Sequence, residues 1–207
     1  MIGQRTKENL LTALWYTVVT TILLGVIYPL VITAIAQAFF KDKAGGQLIR
    51  KNGTVIGSRL LAQPFTGPEY FHPRPSSAGA NGYDAANSGA TNLGPTNRRL
   101  VERVAADVAR LQSEHPNERV PIDLVTTSAS GLDSDITPAA AEFQMPRVAR
   151  ARGIGETELR RLVLRYTKPR QFGFLGEPRV NVLELNLALD ENYPIRQGEA
   201  HGIEFKP

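Results

Sequence analysis

LLTALWYTVVTTILLGVIYPLVITAIAQAFF, residues 10–40, holds no charged side chain, and with Asn9 it forms an uncharged run of 32 positions. A hydrocarbon core about 30 Å thick takes about 20 helical residues, so the run is long enough to cross a bilayer with tilt or with interfacial ends. Trp15 and Tyr16 suit the headgroup layer, where an aromatic ring meets water and lipid together. Pro29 withholds one backbone donor and predicts a kink. Arg5 and Lys7 make a basic start, and Ala34-Ile35-Ala36 and Ala36-Gln37-Ala38 resemble cleavage sites. A cleaved signal has an apolar stretch of only about 7–15 residues, however. A buried core helix is rarely so long and so free of charge. The reading is an uncleaved anchor over 10–36, with a tail at 1–9 and a juxtamembrane linker at 37–46. Thr12, Thr17, Thr20, Thr21 and Gly25 are its small or hydroxylated positions, the kind that lets helices approach closely in lipid.

Charge does not decide the orientation. Arg5 and Lys7 precede the run, whereas Lys41, Lys43, Arg50 and Lys51 follow it. A positive-inside count keeps the following domain in the cytoplasm, but long domains translocate largely regardless of charge.

The remainder, 47–207, has room for one domain within a chain of 207 residues. Across the whole chain 24 Lys and Arg are interspersed with 20 Asp and Glu, for a net charge of +4. Nucleic-acid binding needs a basic stripe, so no nucleic-acid partner is expected; the excess suits anionic headgroups of a lipid bilayer. The chain has no cysteine, which excludes disulfides, thiolate metal sites and cysteine nucleophiles.

Asn52-Gly53, between Leu48-Ile49-Arg50-Lys51 and Thr54-Val55-Ile56-Gly57, predicts a type I′ hairpin. Residues 62–97 read as a long irregular stretch rich in Gly, Pro, Asn and Ser, pinned to a core by Phe65, Tyr70, Phe71 and Tyr83. A helix capped by Thr96 or Asn97 buries Leu100, Val104, Val108 and Leu111. Ile122 to Val125 is a short strand candidate. A second helix starts at Thr137-Pro138 and is broken or bent at Pro146. A third spans Glu156 to Tyr166 and buries Leu159, Leu162, Val163 and Tyr166. In 181–190, leucines at 183, 185, 187 and 189 alternate with Glu184, Asn186, Ala188 and Asp190, the period of a strand with one oily face. The fold class is α+β: one transmembrane helix, then a single domain with an antiparallel sheet and packed helices.

Familiar chemistry is scarce. The sequence holds no phosphate loop, HExxH or nucleophile elbow. His72, His115 and His201 lack ligand-like spacing and read as surface histidines. Asp42-Lys43-Ala44-Gly45-Gly46 superficially resembles the P-type ATPase phosphorylation motif, but Ala and Gly replace both threonines. Asp133 and Asp135 suggest a carboxylate pair. As an EF-hand they fail, because the twelfth position counted from Asp133 is Gln144; a turn before a capped helix explains them. Arg147, Arg150, Arg152, Arg160, Arg161 and Arg165 are an anion-binding face or, more simply, a solvated helix surface.

Four ordered stretches carry a resemblance. They are Gly57-Ser-Arg-Leu-Leu-Ala-Gln-Pro-Phe65, Ser88-Gly-Ala-Thr-Asn-Leu-Gly-Pro-Thr-Asn97, Ser130-Gly-Leu-Asp-Ser-Asp-Ile-Thr-Pro-Ala-Ala-Ala141 and Phe174-Leu-Gly-Glu-Pro-Arg-Val-Asn-Val-Leu183. With Phe71-His-Pro-Arg-Pro-Ser76, and after one N-terminal apolar helix, they resemble the C subunits of the Kdp potassium-transporting ATPase. Ser134-Asp135 and Tyr166-Thr167 depart from that pattern, and 198–207 carries no signature of it.

The resemblance implies a noncatalytic accessory subunit, needed for assembly or stability and for ion delivery at the external entrance. Its partners are a potassium-conducting subunit and an ATP-hydrolysing P-type subunit. It implies a single pass through the bacterial cytoplasmic (inner) membrane, N-terminus inside and domain outside. ATP and potassium belong to the complex, and the chain carries no motif for binding either; the family is also assigned a chaperone-like role that raises ATP affinity. The motif positions expected to face partners or structure the domain are Arg74 and Ser76; Asn87, Ser88, Gly89, Asn92, Leu93, Gly94, Pro95, Thr96 and Asn97; Asp133, Pro138, Gln144 and Arg147; and Gly176, Glu177, Pro178, Arg179 and Asn181. Within them, 87–97 offers side-chain carbonyls from Asn87, Asn92 and Asn97. The rival readings are an anchored hydrolase using Asp133 and Asp135, and a binding protein secreted after signal cleavage.

Overall fold

Proline crowds the carbonyl four residues before it and supplies no N–H, so a helix that continues past one must adjust upstream. In the computed structural model, which describes residues 2–116 and 118–195, that adjustment is a wider turn. The helix α1 (Ile2–Thr20) passes into a π-helical stretch, Thr21–Ile27, and on into α2 (Tyr28–Phe39). The Tyr28 N–H donates to the Leu23 carbonyl, one residue farther back than in an α-helix. The kink expected at Pro29 is thus a π segment just ahead of it. Gly3–Phe39 is long and apolar enough to cross a membrane, and its apolar face is not buried within the protein. The hydroxyls of Thr12, Thr17 and Thr20 donate to the carbonyls of Glu8, Ala13 and Tyr16, so the helix satisfies its own polar groups. A short α3 (Lys41–Ala44) follows.

The chain divides into two compact units between Leu48 and Ile49. The boundary falls after the first residue of the hairpin β1 (Leu48–Lys51) and β2 (Thr54–Ser58). Asn52 and Gly53 sit at φ 51° and 82°, as a type I′ turn requires. After a long irregular segment come α4 (Arg98–Glu114), a single 3-10 turn (Ile122–Leu124), β3 (Asp135–Ile136), α5 (Pro138–Arg152), α6 (Glu156–Tyr166), β4 (Thr167–Lys168), β5 (Arg179–Asn181) and α7 (Val182–Asn192). The sheet order is β3-β5-β4, all antiparallel, with Asp135 opposite Asn181 and Thr167 opposite Val180. Phe71, Met145, Val148, Leu159, Val180, Leu185 and Leu189 form the centre of the core.

The α+β class holds, with three local corrections. The expected strand 181–190 is α7. The period-two leucines also satisfy a helix, because Val182, Leu185, Asn186 and Leu189 fall on one face at i, i+3, i+4 and i+7 and are all buried. Leu, Glu and Ala favour helix over strand, and the Asn181 side chain caps it by accepting from the Glu184 N–H. Only 179–181 is strand. The second correction is Ile122 to Val125, a 3-10 turn rather than a strand. Asp123 and Leu124 both point inward, and the Asp123 carboxylate accepts from the Thr137 N–H at 2.7 Å, a donor that α5 leaves open. Third, α5 runs unbroken through Pro146, because Phe143, Met145, Val148 and Ala149 anchor both halves in the core.

Candidate functional site

Gly67-Pro-Glu-Tyr-Phe-His-Pro-Arg-Pro-Ser76 carries three prolines, so it cannot join a sheet ladder, yet Phe71 is fully buried. Its main-chain groups must therefore find side chains. Asn186 of α7 accepts from the Phe71 N–H and donates to the Phe71 carbonyl, both at 2.9 Å. Gln144 of α5 does the same for His72, at 2.8 and 3.1 Å. Arg147 donates to the carbonyls of Pro68 and Tyr70 and to Gln144 Oε1. Arg152 donates to the carbonyls of Glu69 and Tyr193 and to the Asp190 carboxylate, and its guanidinium lies 4.9 Å from the Tyr70 ring centroid. Two helices thus hold one irregular strap through side-chain amides and guanidiniums.

Of these residues, Gln144 and Arg147 are among the expected motif positions, and the structure brings them together. Arg152 was expected only as part of an arginine face, whereas Asn186 and Asp190 were assigned to the polar side of a strand. The signal for Asn186 was present: at helical period it lies between Val182 and Leu189.

The strap, α4 and α5 enclose a cleft of about 330 Å³ lined by His72, His115, Arg110, Glu114 and Arg147 among others. His72 is not a surface histidine. Burial, and next the Arg147 guanidinium, push its pKa down to about 4, against a weaker opposing bond to the Gly67 carbonyl. His115 packs against Phe143 with the rings tilted by 56° and their centroids 4.5 Å apart, and His201 lies outside the described residues. No group of three His, Cys, Asp or Glu is placed to hold a metal among the described residues.

A histidine kept neutral by burial couples folding to pH. In the unfolded chain it titrates near 6.5, so below that pH the unfolded state binds more protons than the folded one. Stability should fall as pH drops from about 6.5 to about 4 and then level off, a loss of up to about 3 kcal/mol from this group. Urea unfolding of the full chain in detergent at pH 7 and pH 4.5 checks this. His72→Gln should lose less stability than the parent between the two pH values; equal losses would refute the assignment.

A second cleft, of about 250 Å³, gathers Arg74, Asp133, Asp135, Glu177, Pro178 and Arg179 from three of the sequence motifs, with Asp123 from the 3-10 turn. Each aspartate in it is engaged. Asp133 pairs with Arg74 at 2.8 Å, and Asp135 pairs with Arg179 at 3.0 Å and accepts from the Asn181 amide. Asp123 caps α5 as described. A general base needs a free lone pair facing substrate; these carboxylates tie the 74–76 strap end, β3 and β5 to one another. The hydrolase reading is not favoured.

The motif stretch 76–97 is docked through its first half. Ser76 Oγ donates to the Gly131 carbonyl and accepts from the N–H groups of Ala78 and Tyr83. Ser77 and Ser88 donate to the carbonyls of Gly89 and Ser130, and the Gly89 N–H also donates to Ser130. Gly131 has φ 68°, and a Cβ there would lie 2.8 Å from both Ala78 N and the Gly89 carbonyl, so the junction requires glycine. Asn87, Asn92, Gly94, Pro95, Thr96 and Asn97 are exposed, with Leu93 half-buried. The Asn97 carbonyl is not available for an ion, because it caps α4 by accepting from the Arg99 N–H. Pro138 takes the first helical position of α5, and Gly176 adopts φ 73° beside Glu177, which pairs with Arg170. The six arginines do not form one face: Arg147 and Arg152 turn inward, Arg150 is exposed, Arg160 pairs with Glu142, and Arg161 and Arg165 line a separate cleft with Glu158.

Comparison with known proteins agrees with this frame of helix, hairpin, strap and small sheet. The family model described as "K+-transporting ATPase, c chain" matches residues 10–191. The potassium-transporting ATPase KdpC subunit of Koribacter versatilis is 65% identical over 189 residues, covering 91% of this chain and 97% of that one. Those of Rhodospirillum rubrum and Acidobacterium capsulatum are 56% and 53% identical, over 84% and 89% of this chain and 91% and 98% of theirs. The chain therefore belongs to the KdpC family and is an accessory, noncatalytic subunit of a Kdp potassium-transporting ATPase complex.

Proposed function

We propose that this subunit assembles the complex from outside the cell. Its helix crosses the cytoplasmic (inner) membrane once with the N-terminus inside. Residues 47–207 stand outside, over the external entrance of a potassium-conducting subunit, while a separate P-type subunit hydrolyses ATP. The observation that carries this reading is how the charged groups are used: Arg74, Arg147, Arg152, Asp133, Asp135 and Asp190 hold the chain's own strap, sheet and helices. A domain built this way works through shape and surface.

The exposed Asn87 and Asn92 make the 87–97 stretch the face turned toward potassium or a partner. Potassium is cargo here. For ATP the fit is poor: the buried guanidiniums of Arg147 and Arg152, the best candidates for phosphate, already donate to main-chain carbonyls. No nucleotide step is assigned to this chain. In the membrane segment, Gly25 and Thr21 supply a close-packing point, with the Thr21 methyl 3.9 Å from where a Gly25 Cβ would stand.

Deleting the subunit should abolish growth on limiting potassium and prevent the two larger subunits from co-purifying; normal high-affinity uptake without it would refute the reading. The absence of cysteine allows a test of side. A single cysteine at the exposed Ala86 should react with a membrane-impermeant maleimide in spheroplasts. Labelling only after lysis would place the domain inside.

A further inference from the structure

Trp15 and Phe39 stand 24 positions apart on the helix that runs from α1 through the π segment to α2. At 1.5 Å per residue the separation is about 36 Å. That exceeds a hydrocarbon core of about 30 Å and falls short of a whole bilayer of about 40–45 Å. With an aromatic pair, Trp15-Tyr16 and Phe39-Phe40, in each interfacial layer, the chain beyond Phe40 begins at the depth of the lipid phosphates. There the helix breaks, with Phe40 at φ −134° and ψ 41°, and α3 presents Lys41 and Lys43. Phe39 is 77% and Phe40 57% exposed, and both lysines are exposed too. Among the described residues neither lysine has a carboxylate partner; Lys43 Nζ lies 6.0 Å from the Phe40 ring centroid.

Charge sets this end of the span apart. Residues 41–55 carry Lys41, Lys43, Arg50 and Lys51 against Asp42, whereas residues 1–9 carry Arg5 and Lys7 against Glu8. With the N-terminus inside, the more basic flank is the outer one, the reverse of the usual bias. Ammonium groups kept there without carboxylates call for a negative partner at phosphate depth. A choline or ethanolamine lipid brings its own cation beside its phosphate, so an anionic lipid is the one that offers net charge. Lysine suits the place, because its stem lies along apolar surface while its head reaches the phosphates. We propose that Phe39–Lys43 holds an anionic phospholipid of the outer leaflet, with the two ammonium groups at its headgroup phosphate and the two rings beside its upper acyl carbons. The proposal rests on the reading above, which puts this end of the span outside.

Bromolipid quenching on the full chain in vesicles tests it. Trp15 is the one tryptophan, so W15F/F40W moves the only strong reporter to the proposed site. Brominated phosphatidylglycerol should associate at least about fivefold more strongly than brominated phosphatidylcholine, the expectation for one lysine near an anionic surface. The preference should vanish in W15F/F40W/K41Q/K43Q and survive in W15F/F40W/K41R/K43R. It should also fade in about 1 M KCl, where screening is strong. Equal quenching by the two lipids, or a preference that outlasts the loss of both lysines, overturns the site. Quenching in vesicles does not depend on orientation, so the maleimide assay at Ala86 separates the two claims. No lipid preference with Ala86→Cys labelled from outside overturns the site alone. A preference with labelling only after lysis overturns the outer-leaflet assignment together with the reading on which it rests.

Discussion

Asn186→Leu should destabilise the second unit by about 4 kcal/mol, since it leaves the buried N–H and carbonyl of Phe71 without partners at a cost of about 1–3 kcal/mol each. The side chain is 1% exposed, so water cannot take its place. Leucine nearly matches asparagine in size, which separates the lost hydrogen bonds from any cavity effect. At roughly 2–4 °C per kcal/mol, thermal unfolding of the full chain in detergent should shift down by about 10 °C. Asn186→Asp should also fail, because a carboxylate accepts from Phe71 N–H but repels the Phe71 carbonyl. Gln144 performs the same service for the next residue, so N186L and Q144L release neighbouring parts of one strap. The double variant should cost less than the sum of the two, because the strap detaches once. A midpoint within 2–3 °C of the parent for N186L would mean that the strap does not depend on its amide partners.

The strap shows where reading from sequence succeeds and where it stops. Local signals were sufficient for the N-terminal apolar helix, the Asn52-Gly53 hairpin, α4 with its Asn97 cap, α5 from Thr137 and α6 from Glu156 to Tyr166, because each is decided by its own period, turn residues or cap. Residues 181–190 satisfy both periods at once. Leucines two apart look like a strand, whereas the same residues four apart share a helix face; the arbiter was the Asn181-to-Glu184 cap, which lies at the helical spacing of a capping pair. Once that helix is misread, Asn186 and Asp190 point to water and the clamp on Phe71 disappears.

The site was less legible because its bonds join residues far apart in the chain. Asn186 meets Phe71 across 115 positions and Arg147 meets Pro68 across 79. No spacing rule encodes such pairs. The four family stretches pointed to the right neighbourhoods, and the structure adds that Arg74, Asp133, Glu177 and Arg179 from three motif regions line one cleft. The reasons are again physical: 71–76 is too rich in proline to pair as a strand, so charged and amide side chains from other elements complete its hydrogen bonds.

Arg152→Met carries the other large expected effect, also about 4 kcal/mol, by the logic of a broken buried ion pair. The Arg152 side chain is fully shielded from solvent, and its three bonding directions end on Glu69 O, Tyr193 O and Asp190 Oδ1 at 2.7, 2.9 and 2.8 Å. Methionine keeps the length and packing of the stem over Tyr70 but removes every donor. It also strands Asp190, which keeps the Tyr70 hydroxyl as a donor at 3.3 Å. Most of the cost should come from that uncompensated carboxylate, so Arg152→Met combined with Asp190→Asn should recover about 2 kcal/mol relative to the sum of the two single changes. Lysine should rescue little: one ammonium cannot reach two carbonyls and a carboxylate that a planar fork meets together. The Tyr70 hydroxyl, raised to about 12 by burial first and by Asp190 next, stays protonated and can still donate to Asp190, but it carries no positive charge to balance the orphan. Chemical denaturation of the four members of the cycle measures the coupling. Strict additivity would show that Arg152 stabilises the strap through its carbonyl bonds alone, and that the ion pair with Asp190 contributes nothing.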